Sequence, residues 1–206
     1  MKALLGRAGI PVPFGRFAES PADAVAAVSE AGGRAVFKAV VPGLVHKSDA
    51  GGVVLGVTEQ SAPAAWEQVA SLGGRVWTEE MVPGGVEALV GFAPSPLGTV
   101  ITVGVGGVLT EVVHDVALRL LPVGREEVAE MIEETRLASL LSGVRGAAPA
   151  DREALIDVAV ELARLVEGWP AGFELDLNPV TVLPTGVRVL DAAYVAPDQS
   201  TLSHQE

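Results

Sequence analysis

The sequence predicts an α+β fold, and three observations carry that reading. Short β-branched runs alternate with helical stretches, Gly and Pro clusters fall between them, and 49% of the 206 residues are apolar. A chain of this length and apolar content buries one core or two small lobes sharing a cleft. The 24 glycines and 14 prolines punctuate apolar runs and never form a low-complexity tract, which excludes disorder as the main state.

Taken in order, Ser20 followed by Pro21 and Asp23 reads as a helix N-cap with proline in the favoured first turn, and Gly32-Gly33 stops that helix. Ala35–Val40 is a β-branched-rich strand, followed by strands over 52–57 and 75–81, with a helix over 64–72 between the last two. Strands over 86–92 and 99–103 flank the turn residues Pro94 to Gly98, so they are expected to be hairpin neighbours. The longest helix is expected over 151–167. Leu155, Val158, Ala159, Leu162, Leu165 and Val166 share its apolar face, and Gly168 ends it. The run 126–134 reads as a solvated helix face. Strands over 173–177, 180–183 and 187–190 close the pattern, and Val82-Pro83-Gly84-Gly85 is the expected hinge.

Composition removes several function classes. A formal charge of −12 argues against a nucleic-acid backbone as partner, because that binding needs clustered cations to displace counterions. Without cysteine there is no disulfide framework, thiolate metal site or cysteine nucleophile. No apolar run reaches the roughly 18 to 20 residues of a bilayer span, and the N-terminus lacks a signal peptide's pattern, so a cytoplasmic location and no membrane partner are expected.

Three segments carry candidate chemistry. The first runs from Lys38 at a strand end through His46-Lys47-Ser48-Asp49-Ala50-Gly51-Gly52. Paired glycines let backbone amides approach phosphate oxygens, and Lys38, Lys47 and Ser48 add charge and hydrogen bonds; a plain solvated loop fits the same composition. In a chain with 11 arginines and three lysines, two lysines nine residues apart suit a compact, movable ammonium. The second is Glu79-Glu80-Met81-Val82 with Glu87 beyond the hinge, where carboxylates and exposed backbone suit ribose hydroxyls and an adenine edge, or simply a charged strand end. The third is Glu174-Leu175-Asp176-Leu177-Asn178-Pro179, where alternation puts Glu174, Asp176 and Asn178 on one face. A hairpin return brings Asp191 beside them, and such oxygen donors suit a hard cation such as Mg²⁺.

Together these segments resemble the ATP-grasp domain of the ADP-forming acyl-CoA synthetase (acetate–CoA ligase) family. The resemblance also covers Gly9-Ile10-Pro11-Val12, Val103 to Gly107, and Asp115-Val116-Ala117-Leu118-Arg119. It implies an ATP-grasp fold of two α/β lobes with nucleotide between them, here expected as 1–82 and 83–197, with 198–206 a disordered tail. It implies ATP/ADP and Mg²⁺ as ligands. Lys38, Lys47 and Ser48 would meet the phosphates, Glu79, Glu80, Met81 and Val82 the adenosine, and Glu87 the ribose or metal side. Asn178 and Asp191 match the family's metal ligands, with Asp176 beside them, and Arg119 would steady charge on the transferring phosphoryl group.

The family couples its half-reactions through a phosphohistidine, and His46 is the candidate acceptor on this chain. The usual first acceptor sits in a CoA-binding region that this sequence lacks, and the family's N-terminal helix is longer than residues 1–8. The resemblance therefore implies a CoA-binding α subunit or N-terminal synthetase domains as partner, in a hetero-oligomer or a longer protein. Two alternatives are a regulatory ATP-grasp module of the kind fused to protein acetyltransferases, and a carboxylate–amine ligase without phosphohistidine.

Overall fold

The computed structural model describes residues 1–41, 51–107, 110, 114–144 and 146–197. His46, Lys47 and Ser48, and the expected tail 198–206, lie outside the described residues. In chain order the described elements are α1 (Lys2–Arg7), β1 (Gly15–Ala18), α2 (Pro21–Glu30), β2 (Ala35–Val40), β3 (Val53–Val57), α3 (Ala62–Ala70), β4 (Arg75–Glu80), β5 (Val86–Ser95), β6 (Gly98–Val105) and β7 (Val116–Leu120). They continue with α4 (Arg125–Glu133), α5 (Leu137–Leu141), α6 (Arg152–Val166), β8 (Glu174–Val182), β9 (Val187–Val189) and β10 (Ala193–Val195). The chain forms two compact units, one of residues 13–83 and one of residues 1–12 with 84–206.

The 13–83 unit is a four-stranded antiparallel sheet in the order β1-β4-β2-β3. Alternation along β2 sends Ala35, Phe37 and Ala39 to the face covered by α2 and α3, where they meet Ala24, Val28, Val69 and Val76. Helix α2 starts as its sequence dictates: Ser20 Oγ accepts from Asp23 N at 3.1 Å and Pro21 occupies the first turn. Helix α3 begins at Ala62, two residues before the expected 64, because Ser61 and Thr58 exchange hydrogen bonds just ahead of it and Pro63 suits a first turn.

In the second unit the strands run β10-β8-β5-β6-β7, with β9 paired to β8, and every described pair is antiparallel. The strands expected over 173–177 and 180–183 are one strand, β8. Its register on β5 shifts between Ala88 and Val90, and that irregularity accommodates Pro179, which has no N–H for the ladder. Leu175 and Leu177 enter the core with Leu155, Ala159 and Leu162 of α6. The run 126–134 is only half solvated: α4 turns its glutamates outward but buries Val128, Met131 and Ile132. The first twelve residues pack here rather than with 13–83, where the expected 1–82 lobe put them. Leu5 and Ile10 are buried in this core, and Val189 N donates to Pro11 O at 2.9 Å. Among the described residues no helix is long and apolar enough to cross a membrane.

Asp151 ties α6 to the β8–β9 turn. Its Oδ1 accepts from Ala154 N at 3.1 Å as the helix N-cap, and its Oδ2 accepts from Gly186 N at 2.8 Å. Those bonds, Gly186 first, hold its carboxyl below the ordinary carboxylate range. Asp151→Ala is expected to lower the melting temperature by a few degrees. The stabilisation is present above the unfolded-state pKa and disappears as pH falls through the depressed folded-state value, so melts of the two proteins at a series of acidic pH values should converge.

Candidate active site

In the 13–83 unit the face away from α2 and α3 carries the predicted phosphate lysine. The β2–β4 register sets Lys38 opposite Trp77 and Val36 opposite Glu79, so Lys38, Trp77 and Glu79 share that face. Lys38 Nζ lies 2.5 Å from Glu79 Oε1, and Trp77 Nε1 donates to Glu79 Oε2 at 2.9 Å. Glu79 is 2% exposed, so this is a buried carboxylate given to a cation and an indole. The sequence reading grouped Glu79 with the adenosine-lining stretch; its side chain instead points at Lys38 and Trp77. Downstream, Glu80 N donates to Phe14 O at 2.9 Å and Met81 N to Arg34 O at 3.2 Å, and Glu80, Met81 and Val82 are half-buried.

The other unit gathers the predicted metal-side residues on the sheet face opposite its helices. Alternation along β8 buries Leu175 and Leu177 and turns Asp176 and Asn178 the other way. Asp176 stands opposite Gly91 of β5, and Ala193 of β10 flanks it on the other side. Its side chain is exposed on that face, yet packing of its carboxyl against the sheet first, and the charge of Asp191 second, hold that carboxyl above the ordinary carboxylate range. Asp191 Oδ1 accepts from Ala192 N at 3.1 Å.

Asn178 is oriented by Gly107 and Thr110. Its Oδ1 accepts from Gly107 N at 2.7 Å and its Nδ2 faces Thr110 Oγ1 at 3.4 Å. Gly106 N donates to the backbone oxygen of Glu87 at 2.9 Å. Gly107 has φ +69°, and a Cβ built there would lie 1.7 Å from Glu87 Oε2, so the Glu87 carboxylate occupies the space a side chain would fill. A Cβ on Gly106 would lie 2.3 Å from the backbone C and O of Ala88. Because backbone cannot step aside, Gly106→Ala is expected to melt well below the wild type and to weaken nucleotide binding, measured by thermal denaturation with and without Mg-ATP.

Two clustered carboxylates and an amide oxygen fit a Mg²⁺ ion that takes its remaining ligands from water and phosphates. Asp176 and Asp191 repel one another, which a cation would relieve, and the Asn178 oxygen keeps a second lone pair after accepting from Gly107. Among the described residues no group of three or more His, Asp or Glu side chains forms a self-contained metal site.

Arg119 is not brought to this cluster. Its register opposite Ile101, two residues from buried Ala117, puts it on the helix-covered face of the sheet, where it pairs with Glu134 at the end of α4. The partnership raises the Arg119 pKa and lowers that of Glu134. Trp77 and Thr110 are contacts the sequence reading did not name, and it gave Gly107 no role. Trp77 carried a signal, since it stands two residues before Glu79 in a strand; the other two depend on contacts across more than sixty residues.

Two compact units, each built on an antiparallel sheet, suit an ATP-grasp architecture. The ATP-grasp domain family model matches residues 1–195, and the chain belongs to that family. Within it, the chain is homologous to ADP-forming acetate–CoA ligases. It is 34% identical over 206 residues to the "Acetate--CoA ligase [ADP-forming] I subunit beta" of Pyrococcus furiosus, covering 94% of this chain and 88% of that subunit. It is 39% identical over 170 residues to the "Acetate--CoA ligase [ADP-forming] I" of Archaeoglobus fulgidus, covering 78% of this chain but 25% of that longer protein. Among solved structures, the dinucleotide forming acetyl-coenzyme A synthetase 1 of Ca. Korarchaeum cryptofilum, in complex with coenzyme A and Mg-AMPPCP, its phosphohistidine segment pointing towards the nucleotide binding site, superposes with a TM-score of 0.82. The identity is 34%, over 94% of this chain and 89% of that one. These relatives are ligases and synthetases, which supports the enzyme reading over the regulatory fusion.

Proposed function

We propose that this chain is the nucleotide-binding, phosphoryl-transferring component of an ADP-forming acyl-CoA synthetase, which interconverts acid, ATP and CoA with acyl-CoA, ADP and phosphate. The observation that carries the reading is the Asp176–Asp191 pair with Asn178 and Glu87 gathered around Gly106-Gly107, in a chain homologous to such ligases. In this reading Lys38, Lys47 and Ser48 bind the phosphates of ATP, and the backbone of Glu79 to Val82 runs along the adenosine. Glu87 faces the ribose or the metal side, and Asn178, Asp191 and Asp176 hold Mg²⁺. Mg²⁺, when bound, neutralises charge on the phosphates.

The chain's own groups then do the following. Lys38 and the amides of the paired glycines orient the γ-phosphoryl group. The neutral imidazole of His46 attacks its phosphorus; the bond to the bridging oxygen breaks, ADP leaves, and a phosphohistidine remains with Lys47 beside it. The phosphoryl group next passes to a histidine of a CoA-binding α subunit or of N-terminal synthetase domains, which must also supply the acyl site. A cytoplasmic location suits ATP and CoA as reactants.

The test is to incubate the chain with γ-labelled Mg-ATP, alone and with a CoA-binding partner subunit. An acid-labile label on histidine, lost from this chain in His46→Asn, is the expected result. No label under either condition would overturn the reading.

A further inference from the structure

We infer that Trp77 is a positioning residue for the phosphate lysine, acting through Glu79; the inference rests on the proposed contact of Lys38 with nucleotide phosphates. Three residues form a line across the face of the sheet. The Trp77 indole N–H holds Glu79 Oε2 at 2.9 Å, and Glu79 Oε1 holds Lys38 Nζ at 2.5 Å. Rotating the carboxylate would cost one bond or the other, so the indole fixes the direction in which Glu79 presents its charge.

Trp77 is itself held in place. Its ring meets Phe17 edge-on with centroids 5.0 Å apart, and the Arg75 guanidinium lies over the Phe17 ring at 3.6 Å. Gly15, opposite Glu79 on β1, makes the room: a Cβ there would lie 2.8 Å from Trp77 Cζ2 and 2.9 Å from Glu79 Cβ. An indole spends its one donor on this carboxylate, and phenylalanine keeps the ring contact while deleting that donor. Glu79 thereby serves the nucleotide indirectly, by aiming a lysine that is itself largely enclosed.

The test compares Trp77→Phe, Glu79→Gln and Lys38→Met for binding of Mg-ATP by calorimetry and of adenosine by NMR titration. Trp77→Phe is expected to weaken Mg-ATP about three- to tenfold while leaving adenosine unchanged, and the Trp77→Phe/Glu79→Gln double variant to be no weaker than Glu79→Gln alone. A merely structural tryptophan would weaken both ligands alike, and that result overturns the inference. So does wild-type Mg-ATP affinity in Trp77→Phe beside a weakened Lys38→Met. If Trp77→Phe does not fold, undiminished Mg-ATP affinity in Glu79→Gln overturns it equally. Wild-type affinity in Lys38→Met, or no binding by the unmutated chain, would instead sink the nucleotide reading of Lys38, and the inference with it.

Discussion

Lys38→Ala is expected to abolish detectable Mg-ATP binding and to destabilise the protein by about 1–3 kcal/mol. Both effects follow from one geometry. Glu79 is 2% exposed with Lys38 Nζ at 2.5 Å, so removing the ammonium takes a close positive charge from a desolvated carboxylate. The Trp77 hydrogen bond cannot replace a unit of positive charge. A chemical melt should show the lower midpoint without nucleotide. Lys38→Ala/Glu79→Ala should recover part of the stability, because it removes the desolvated carboxylate together with its close cation, yet recover no affinity. A single variant as stable as the wild type would show that the pair is not a buried ion pair.

Asp176→Asn is expected to act in opposite directions on stability and binding. Desolvation and Asp191 raise the Asp176 carboxyl in the folded state, so its charged form costs stability at neutral pH. The sign is the reverse of the Asp151 case: the cost is complete above the raised folded-state pKa and vanishes below the unfolded-state one. The asparagine variant should therefore melt higher than the wild type at neutral pH, and the gap should close as pH is lowered through the carboxylate range. Its Mg-ATP affinity should fall about ten- to a hundredfold, since the repulsion that costs stability is what a bound cation relieves. Functional sites are where such locally unfavourable charge is kept. A variant that loses stability without loss of affinity would assign Asp176 a structural role.

Much of the site was legible because the β period is short and strict. Alternation alone put Asp176 and Asn178 on one face of a strand whose Leu175 and Leu177 face the core, and the Ala35–Val40 strand was read with its observed bounds. The α6 face was equally readable from its 3.6-residue period. What escaped depends on which face of a sheet the helices cover and on distant partners. Arg119 was read as a phosphoryl contact, but strand period gives parity without saying which parity faces α4. The seating of Glu87 over Gly107 joins β5 to the end of β6, and no local pattern announces it. Residues 1–12 join the later unit through Leu5, Ile10 and the Pro11–Val189 bond, a long-range choice with no signature at the N-terminus. His46 is a sequence proposal outside the described residues.

That this chain binds Mg-ATP with Lys38 at the phosphates and Asp176, Asn178 and Asp191 at the metal is tested most directly by calorimetric titration with ATP. The titration is run with and without Mg²⁺, and repeated on Lys38→Ala and Asp191→Ala. The account predicts saturable binding that requires Mg²⁺ and is weakened by each substitution. Binding that ignores Mg²⁺ and both substitutions, or no binding by the unmutated chain, would contradict it.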